Sequence, residues 1–380
     1  MEKLFYISLA ILCMVWTFRF FRVKRSLKPE YFLNPLSYRT AGKMPFVSVL
    51  IPARNEEKNI ARCINSLLKQ TYSDYEIIVV NDRSTDNTAN VVSEIAACHQ
   101  NVTLINIKQC PEGWSGKNHA LHNGVQRARG DFLVFTDADT YHEPECIETA
   151  LAYSVQNSVD LLSVNPHLVT ASFWENVIMP IAGAVLMVWY PIEKINSQDS
   201  RCSYANGQFI MMRKDAYVKI DGHQSVREAL LEDLALARRI KDNGLRLRAL
   251  WGPKLYKTHM YTSLRDIWRG WVRIFYHGLE KNIVKMGVSV VLIILFSLSP
   301  YLLLMWSLLS LAPMHLAWAV ALMIYIYSII MYAYTASNSN RIYVISHLLG
   351  CIVVMFILIH SSLTVILKKQ ITWRGISYPT

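Results

Sequence analysis

The fold of this chain is indicated most directly by Phe132-Leu133-Val134-Phe135-Thr136-Asp137-Ala138-Asp139. Four consecutive apolar residues are typical of a strand that is buried on both faces. Two carboxylates follow at once, separated by a single alanine. In α/β sheets, ligands bind beyond the carboxyl ends of parallel strands, so this stretch predicts both a sheet and a binding site.

Working outward from this stretch, three earlier apolar runs predict further strands, with helices between them. Turn and cap residues separate the runs, and the apolar residues of the intervening segments recur at helical spacing. The resulting βαβαβαβ order predicts an α/β fold with a mostly parallel sheet covered by helices. The predicted strands are 47–52, 76–80, 104–107 and 132–135. The predicted helices cover about 56–69, a segment through Val91 and Ile95, and about 117–128. Ser84-Thr85-Asp86 is predicted to cap the second of these helices.

Polar side chains gather where these strands end. Arg54, Asn55 and Glu56 follow the first strand, Asp82 closes the second, and Asp137 and Asp139 follow the fourth. Carboxyl ends of parallel strands meet at one edge of a sheet, so these groups should converge there. This convergence is the strongest indication of a site that the residues alone provide.

Asp137 and Asp139 form an acidic pair with one residue between them. A diphosphate leaving group needs a hard cation to neutralise its developing charge, and hard cations prefer carboxylate oxygens. A surface turn is the alternative, because aspartate is common in turns. The preceding strand and the other polar strand ends favour a metal site, for Mg²⁺ or Mn²⁺.

Two other groups suit a nucleotide. Asp82 could accept hydrogen bonds from a nucleobase or ribose, or it could cap the next helix. Lys117 follows two glycines in Gly113-Trp114-Ser115-Gly116-Lys117-Asn118, at a predicted helix start that favours phosphate. This segment lacks the pattern of a Walker loop.

Leu231-Glu232-Asp233-Leu234 opens a helix that is predicted to run to Gly244. Neighbouring helical residues are about 100° apart, so one carboxylate can face a cleft while the other points elsewhere. The first could serve as the general base for an acceptor hydroxyl. The alternative is that acidic residues simply favour the first turn of a helix.

Together these motifs resemble family 2 inverting glycosyltransferases with a GT-A fold. The likeness covers about residues 45–280. It implies that Asp82 binds the nucleotide base, that Asp137 and Asp139 bind ribose and the metal diphosphate, and that Asp233 is the catalytic base. The residues that carry it are Pro52-Ala53-Arg54-Asn55-Glu56-Glu57, Val80-Asn81-Asp82-Arg83-Ser84-Thr85-Asp86, Thr136-Asp137-Ala138-Asp139 and Leu231-Glu232-Asp233. Pro52, Arg54, Glu56, Lys117 and Glu232 are accordingly candidate substrate-binding residues, with Asp139 as the candidate metal ligand.

A narrower likeness is to the bacterial hopanoid-associated and carotenoid (diaponeurosporenoate) glycosyltransferases. It rests on Gly113-Trp114-Ser115-Gly116-Lys117, Ser172-Phe173-Trp174-Glu175, Gly222-His223 and Trp373-Arg374-Gly375-Ile376-Ser377-Tyr378. Relatives with long acceptors often carry Gln-x-x-Arg-Trp after the acidic helix. This chain has Arg265-Asp266-Ile267-Trp268-Arg269-Gly270-Trp271 instead, so Trp268 and Arg269 are kept as candidate substrate-binding residues.

The apolar residues are distributed unevenly along the chain. Residues 286–340 and 342–367 contain no charged side chain, which is enough for about three membrane spans if a break falls near Leu311-Ala312-Pro313. Leu4 to Phe18 is also apolar and is followed by basic residues, which indicates an uncleaved anchor rather than a secretory signal. We therefore expect an anchor at 1–24, a GT-A domain at 45–255, interfacial helices at 256–284 and transmembrane helices at 285–367.

Two further segments suggest contact with lipid. Residues 177–192 are almost wholly apolar, but a crossing there would place Asp137 and Asp233 on opposite sides of the bilayer. They are expected to lie in the interface, with burial in the soluble domain as the alternative. Residues 261–281 mix tryptophans with arginines, as interfacial amphipathic helices do. Both segments predict a hydrophobic lipid acceptor.

Charge and cysteines exclude other classes of protein. The net charge of +11 gathers beside the apolar spans, which favours the membrane surface over nucleic acid as a partner. The seven cysteines are scattered and include no CxxC pair, so neither a disulfide framework nor a zinc site is indicated. The catalytic domain is expected on the cytoplasmic face of the cell membrane.

Three functions fit these features. The first is transfer of a single sugar from a nucleotide sugar, with a UDP-sugar preferred, to a lipid. A processive polysaccharide synthase and an inactive membrane scaffold are the alternatives. One conflict stays open: three complete C-terminal spans would place Lys368, Lys369 and Arg374 outside, against the positive-inside tendency.

Overall fold

A computed structural model of the protein describes residues 2–35, 37–38, 44–261, 263–367, 371–373 and 376–378. Its strands are β1 Val47–Ala53, β2 Tyr75–Asp82, β3 Val102–Ile107, β4 Phe132–Thr136, β5 Thr140–His142, β6 Leu161–Asn165, β7 His167–Leu168, β8 Phe209–Arg213, β9 Leu247–Trp251, β10 Tyr256–Thr258, β11 Ile371–Trp373 and β12 Ile376–Tyr378. Its α-helices are α1 Glu2–Ser26, α2 Ile60–Leu67, α3 Thr88–Cys98, α4 Gly116–Arg127, α5 Cys146–Gln156, α6 Phe173–Trp189, α7 Ile192–Asn196, α8 Lys214–Lys219, α9 Glu232–Asp242, α10 Leu264–Gly278, α11 Ile283–Ile293, α12 Ser299–Leu309, α13 Pro313–Ala336 and α14 His347–Ile366.

The chain divides into two compact units. The sheet unit comprises Pro29–Val169 and Tyr190–Met260, and the helical unit comprises Met1–Lys28, Thr170–Trp189 and Tyr261–Thr380. The apolar segment that contains α6 therefore groups with the other apolar helices and not with the sheet.

A seven-stranded sheet in the order β3-β2-β1-β4-β8-β6-β9 forms the centre of the sheet unit. Four of its six pairings are parallel, while β8 runs antiparallel to both β4 and β6. The predicted α/β fold with a mostly parallel sheet is confirmed. All eight residues of β2 are buried, as expected for a central strand covered on both faces.

Both faces of this sheet carry apolar clusters. One face packs on α2 and α5, through residues such as Ile64 and Leu151. The other packs on α4 and α9, through Leu121 and Leu236 among others. The strands are thereby held rigidly, and their carboxyl ends project from a fixed edge.

The loop after β1 differs from the prediction. Helix α2 begins at Ile60, not near residue 56, and the capping role predicted for Ser84 and Thr85 is wrong because α3 begins only at Thr88. These side chains instead bind the neighbouring loop. The Asn55 backbone N–H donates to the Ser84 hydroxyl at 3.0 Å, and the Thr85 N–H donates to the Asn55 side-chain oxygen at 2.8 Å.

Among the residues described, four helices of the helical unit are long and apolar enough to cross a membrane, by length and composition. They cover Glu2–Ser26, Ile283–Leu309, Pro313–Ala336 and Arg341–Ile366. The second contains a π-helical segment, Ile294–Leu298, and the fourth begins with a 3₁₀ turn. The predicted break lies where expected, because α12 ends at Leu309 and α13 begins at Pro313.

Two shorter helices of this unit differ in character. Helix α6 is a 17-residue apolar helix with Pro180 inside it. Helix α10 is amphipathic: it buries Ile267, Trp271 and Phe275 but exposes Arg265 and Arg269. Their placement in a membrane interface stays a prediction. Lys368, Lys369 and Arg374 lie outside the described residues.

Candidate active site

The predicted polar residues lie at the ends of three adjacent strands. In the order β2-β1-β4, Asp82 is the last residue of β2, Arg54 follows β1, and Asp137 follows β4. Pro52 lies near the end of β1, beyond the residues that pair with β4. A proline is tolerated there because its missing N–H is needed least at the end of a ladder.

Asp82 is held by two arginines. Its carboxylate accepts from Arg83 Nε at 2.7 Å and lies 3.8 Å from Arg54 Nη1. Helix α4 begins beside it, because a Cβ on Gly116 would lie only 2.3 Å from Asp82 Oδ2. The glycine therefore allows the positive end of α4 to approach a buried carboxylate.

Lys117 joins two of the acidic motifs. Its ammonium lies 2.7 Å from Asp137 Oδ1 and 2.7 Å from Glu232 Oε1. Burial by itself would lower the pKa of Lys117, but the two carboxylates outweigh it and raise the pKa above its ordinary value. One cation thus holds the acidic pair after β4 next to the acidic start of α9.

Asp233 is the second residue of α9, directly after Glu232, and has different partners. Its carboxylate accepts from the backbone N–H of Gly207 and from that of Leu234, both at 2.8 Å. Burial and the adjacent Glu232 charge raise the pKa of Asp233 to about 7, although Lys117 and the two N–H groups act in the opposite direction. A carboxyl group with this pKa can accept a proton near neutral pH.

The segment before β8 was not singled out from the sequence. A Cβ on Gly207 would lie 3.1 Å from Asp233 Oδ2 and 3.2 Å from Glu232 Oε1. Both carboxylates therefore lie close to Gly207, and which of them faces an acceptor stays a prediction. No local signal reveals this contact, because Gly207 is distant in sequence from α9.

A buried polar cluster supports the turn that carries Asp137 and Asp139. His142 Nε2 contacts the hydroxyls of Thr136 at 3.1 Å and Thr140 at 2.9 Å. Thr140 in turn donates to the backbone oxygen of Asp137 at 2.7 Å. Burial lowers the pKa of His142 to about 3, so the ring is neutral and serves as a fixed support.

Asn118 connects the start of α4 to the loop before α9. Its side-chain amide donates to the backbone oxygens of Val226, Arg227 and Ala229, at 2.7, 3.1 and 2.9 Å. This connection fixes Lys117 relative to Glu232. It was also missed from the sequence, where Asn118 appeared only as part of a glycine-rich motif.

Glu56 contributes to local structure. It is 6% exposed, and its carboxylate accepts from Asn59 Nδ2 at 2.9 Å. Its backbone N–H donates to the Thr88 hydroxyl at 2.8 Å, so it links the loops after β1 and β2. Substrate contact by Glu56 stays a prediction.

Trp268 and Arg269 belong to the helical unit. Both lie on α10, where Arg269 is exposed and Trp268 Nε1 lies 2.8 Å from His360 Nδ1 of α14. Their predicted contact with substrate stays a prediction.

The acidic pair has the donor chemistry for a shared divalent ion. No group of three or more His, Cys, Asp or Glu side chains is placed to hold a metal, among the residues described. Magnesium is commonly bound through one or two carboxylates together with substrate phosphates. Asp137 and Asp139 fit that mode, in which the ion arrives with the diphosphate.

Comparisons with known proteins identify what the domain that carries these residues is similar to. Residues 48–221 match the family model for glycosyl transferase family 2. The 4,4'-diaponeurosporenoate glycosyltransferase of Staphylococcus aureus (strain USA300) is 28% identical over 250 residues. The match covers 65% of this chain and 65% of that protein, so the chain spans about two thirds of its curated relative.

A solved structure shares the fold. The mannosyltransferase PcManGT from Pyrobaculum calidifontis, in complex with GDP-Man and Mn²⁺, matches with a TM-score of 0.53 and 18% sequence identity. The match covers 97% of this chain and 99% of that one. Residues 48–221 therefore match glycosyl transferase family 2, and the chain shares the GT-A fold of this solved glycosyltransferase.

Proposed function

We propose that this protein transfers a single sugar from a nucleotide sugar to a lipid acceptor, with inversion, on the cytoplasmic face of the cell membrane. The observation that carries the proposal is the double ion pair of Lys117 with Asp137 and Glu232, each at 2.7 Å. It holds Asp137, which is suited to bind the metal and the donor diphosphate, next to the start of α9. That start also carries Asp233, which is suited to activate an acceptor.

The donor would bind along the ends of β2, β1 and β4. Asp82 would accept hydrogen bonds from the nucleotide base, while Asp137 and Asp139 would hold the ribose and a divalent ion. Mg²⁺ or Mn²⁺ would neutralise the charge that develops on the diphosphate. Lys117 would exchange a carboxylate partner for a phosphate oxygen, since an ammonium pairs with either. A UDP-sugar is the preferred donor.

Asp233 would act as the general base. It would take the proton of an acceptor hydroxyl as that oxygen attacks the anomeric carbon from the face opposite the leaving nucleotide diphosphate. The new C–O bond forms as the bond to the diphosphate breaks, which inverts the anomeric configuration. Its pKa of about 7 suits this role, because the best base titrates near the working pH.

A hydrophobic acceptor is favoured by the helical unit and by one relative. Four apolar helices would hold the protein in a membrane. The S. aureus relative is named for a carotenoid acid, 4,4'-diaponeurosporenoate. Carotenoids, hopanoids and glycolipid precursors are accordingly the acceptor classes to test. A carboxylic acid acceptor is already ionised, so its glycosylation would not need Asp233.

The test is a comparison of lipids by mass spectrometry. The full chain and its Asp233→Asn variant are expressed in the same host, and lipid extracts are compared with those of cells that lack the gene. We expect lipids heavier by one sugar residue that depend on the unmodified chain. Polymeric products would favour the processive synthase instead. If no extract and no nucleotide sugar supports transfer or metal-dependent donor hydrolysis, the inactive scaffold is the better account.

A further inference from the structure

We propose that helix α14 does not cross the bilayer, although it is as long and apolar as the helices that do. It returns to the side on which α13 ends, so the chain crosses three times. This inference rests on the membrane location in the proposed function. It concerns only contacts within the helical unit and the connectivity of the chain.

The C-terminal end of α1 and the start of α10 must lie on the same side of the membrane. The strands that follow α1 and those that precede α10 belong to one sheet, in which β1 and β9 both take part. Helix α6 does not change the side, because it connects β6 with β8, and these strands pair with each other. We call this the sheet side.

The first three apolar helices form a set that crosses the membrane. Phe5, near the start of α1, lies 5.6 Å from the Trp306 ring of α12 and 4.6 Å from the His315 ring of α13. At the other end, Phe20 lies 5.3 Å from Tyr332. The turn between α12 and α13 is therefore on the far side, and α13 ends on the sheet side.

Helix α14 starts about halfway along the helices that cross the membrane. The His347 ring lies 6.0 Å from Trp16 of α1, whose Nε1 donates to the Phe296 backbone oxygen at 2.9 Å. Next to it, Arg19 donates to the Ser297 hydroxyl at 3.1 Å. Trp16 is ten residues before the end of α1 at Ser26, which is about 15 Å along a helix. The Tyr301 hydroxyl, 3.0 Å from His347 Nδ1, belongs to a residue eight positions before the far end of α12 at Leu309, which is about 12 Å. Because a hydrocarbon core is about 30 Å thick, α14 starts near its middle.

Helix α14 ends on the sheet side. The Ser361 hydroxyl donates to the Val272 backbone oxygen of α10 at 3.1 Å, and His360 contacts Trp268 of the same helix at 2.8 Å. Helix α10 begins on the sheet side and exposes Arg265, which is costly in hydrocarbon. Helix α14 therefore runs from about the middle of the bilayer back to the sheet side and does not reach the far side.

The packing of α14 agrees with this position. A Cβ on Gly350 would lie 2.5 Å from the Val177 backbone oxygen, so the start of α14 is pressed against α6. Side chains on its outer surface are exposed, with Phe356 at 51% and Leu363 at 46%. Helices α6 and α10 would cover one flank, and acyl chains would cover the rest.

This arrangement also removes the conflict over the basic tail. Three crossings place Leu367, the last described residue of this segment, on the sheet side, which is the cytoplasmic side in the proposed function. Basic residues directly after Leu367 in the sequence are what the positive-inside tendency predicts for that side.

Short epitopes inserted into the full chain can test the topology. One is placed at Leu311, one at Asn338 and one between Leu367 and Lys368. In intact cells an antibody should reach only the epitope at Leu311, and after permeabilisation it should reach all three. Labelling of the third epitope together with the first, in intact cells, would overturn the inference.

A second measurement uses the unmodified chain, in case an insertion disturbs folding. Trypsin should cut at Lys368 and Lys369 in sealed inverted vesicles and leave them intact in right-side-out vesicles. The reverse pattern would mean that α14 crosses. Neither measurement depends on catalysis, so the topology and the proposed reaction can fail independently.

Discussion

At the scale of single residues, the site is defined by one cation among several carboxylates. Lys117 contacts Asp137 and Glu232, while the backbone N–H of Gly207 holds Asp233. Each of these contacts joins segments that are far apart in the sequence. The acidic motifs could be recognised from the sequence because strand ends and helix starts leave local patterns. The contacts among them could not, because only the folded sheet sets those distances.

Asp139 tests the metal role. We expect Asp139→Ala to abolish transfer and to weaken nucleotide binding in the presence of Mg²⁺ or Mn²⁺, because the ion would lose a carboxylate ligand. Donor binding is measured by calorimetry with and without metal. Glu148→Ala removes a carboxylate of α5 that lies outside the predicted site, and it serves as the control because it should leave metal-dependent donor binding unchanged. Transfer by the parent chain without any divalent ion would remove the metal from the mechanism.

Asp233 should give the reaction a pH dependence. A base works only when it is deprotonated, so kcat/KM with a hydroxyl acceptor should rise with pH and level off above about 7, the pKa of Asp233. The Asp233→Asn variant should lack this rise. A parent profile that is flat from about pH 6 to about pH 8 would show that another group accepts the proton.

Substitution of Gly207 tests whether the side chains of Glu232 and Asp233 share one confined space beside it. A Cβ there would lie 3.1 Å from Asp233 Oδ2, so Gly207→Ala should displace a carboxylate and lower kcat by about tenfold or more. Donor affinity should change little. Gly287→Ala is the matched control, because a Cβ at that position meets nothing within 4 Å. Equal activity of the two variants would contradict the described geometry.

At the scale of elements, the sequence predicted the first four strands well, missed β6, β8 and β9 of the same sheet, and predicted the loops poorly. The first four strands were found because buried parallel strands are short apolar runs. The start of α2 was misplaced because Glu56 and Glu57 resemble a helical first turn, whereas their backbone N–H groups bind Thr88 and Asp86. Such contacts between loops override local propensity.

Substitution of Asn118 tests how α4 is joined to the loop before α9. Its side chain is fully buried and donates to three backbone oxygens of the loop before α9. Asn118→Ala should lower the free energy of unfolding by about 1 to 3 kcal/mol, since buried carbonyls would lose their donors. Transfer should fall further than stability alone explains, because Lys117 would lose its fixed position. Thermal unfolding and kcat are measured together.

The control for this variant is Asn90→Ala, which removes an exposed hydrogen bond to Asn87. It should be nearly neutral, because exposed groups exchange protein partners for water. If both variants unfold at the same temperature as the parent, the loop before α9 is held by other contacts.

At the scale of the whole molecule, a family 2 domain is joined to apolar helices. The sequence predicted the α/β sheet, the apolar segments and the break before Pro313, because each has a local signature. It could not decide which apolar segments cross the membrane. Hydropathy does not distinguish α14 from α13, and only the contacts of Trp16 and Val272 indicate where the two ends of α14 lie.

The central claim is that Asp233 activates the acceptor in a site where other carboxylates bind the donor. The most direct measurement is steady-state sugar transfer to a hydroxyl-bearing lipid by the parent chain and by Asp233→Asn, with donor binding measured by calorimetry. We expect turnover to fall by about 100-fold or more while donor affinity stays nearly unchanged, because a general base acts in the transition state. Glu232→Gln serves as the neighbouring control and should be milder. Transfer by Asp233→Asn at the parental rate would contradict the account and make Glu232 the first candidate for the base.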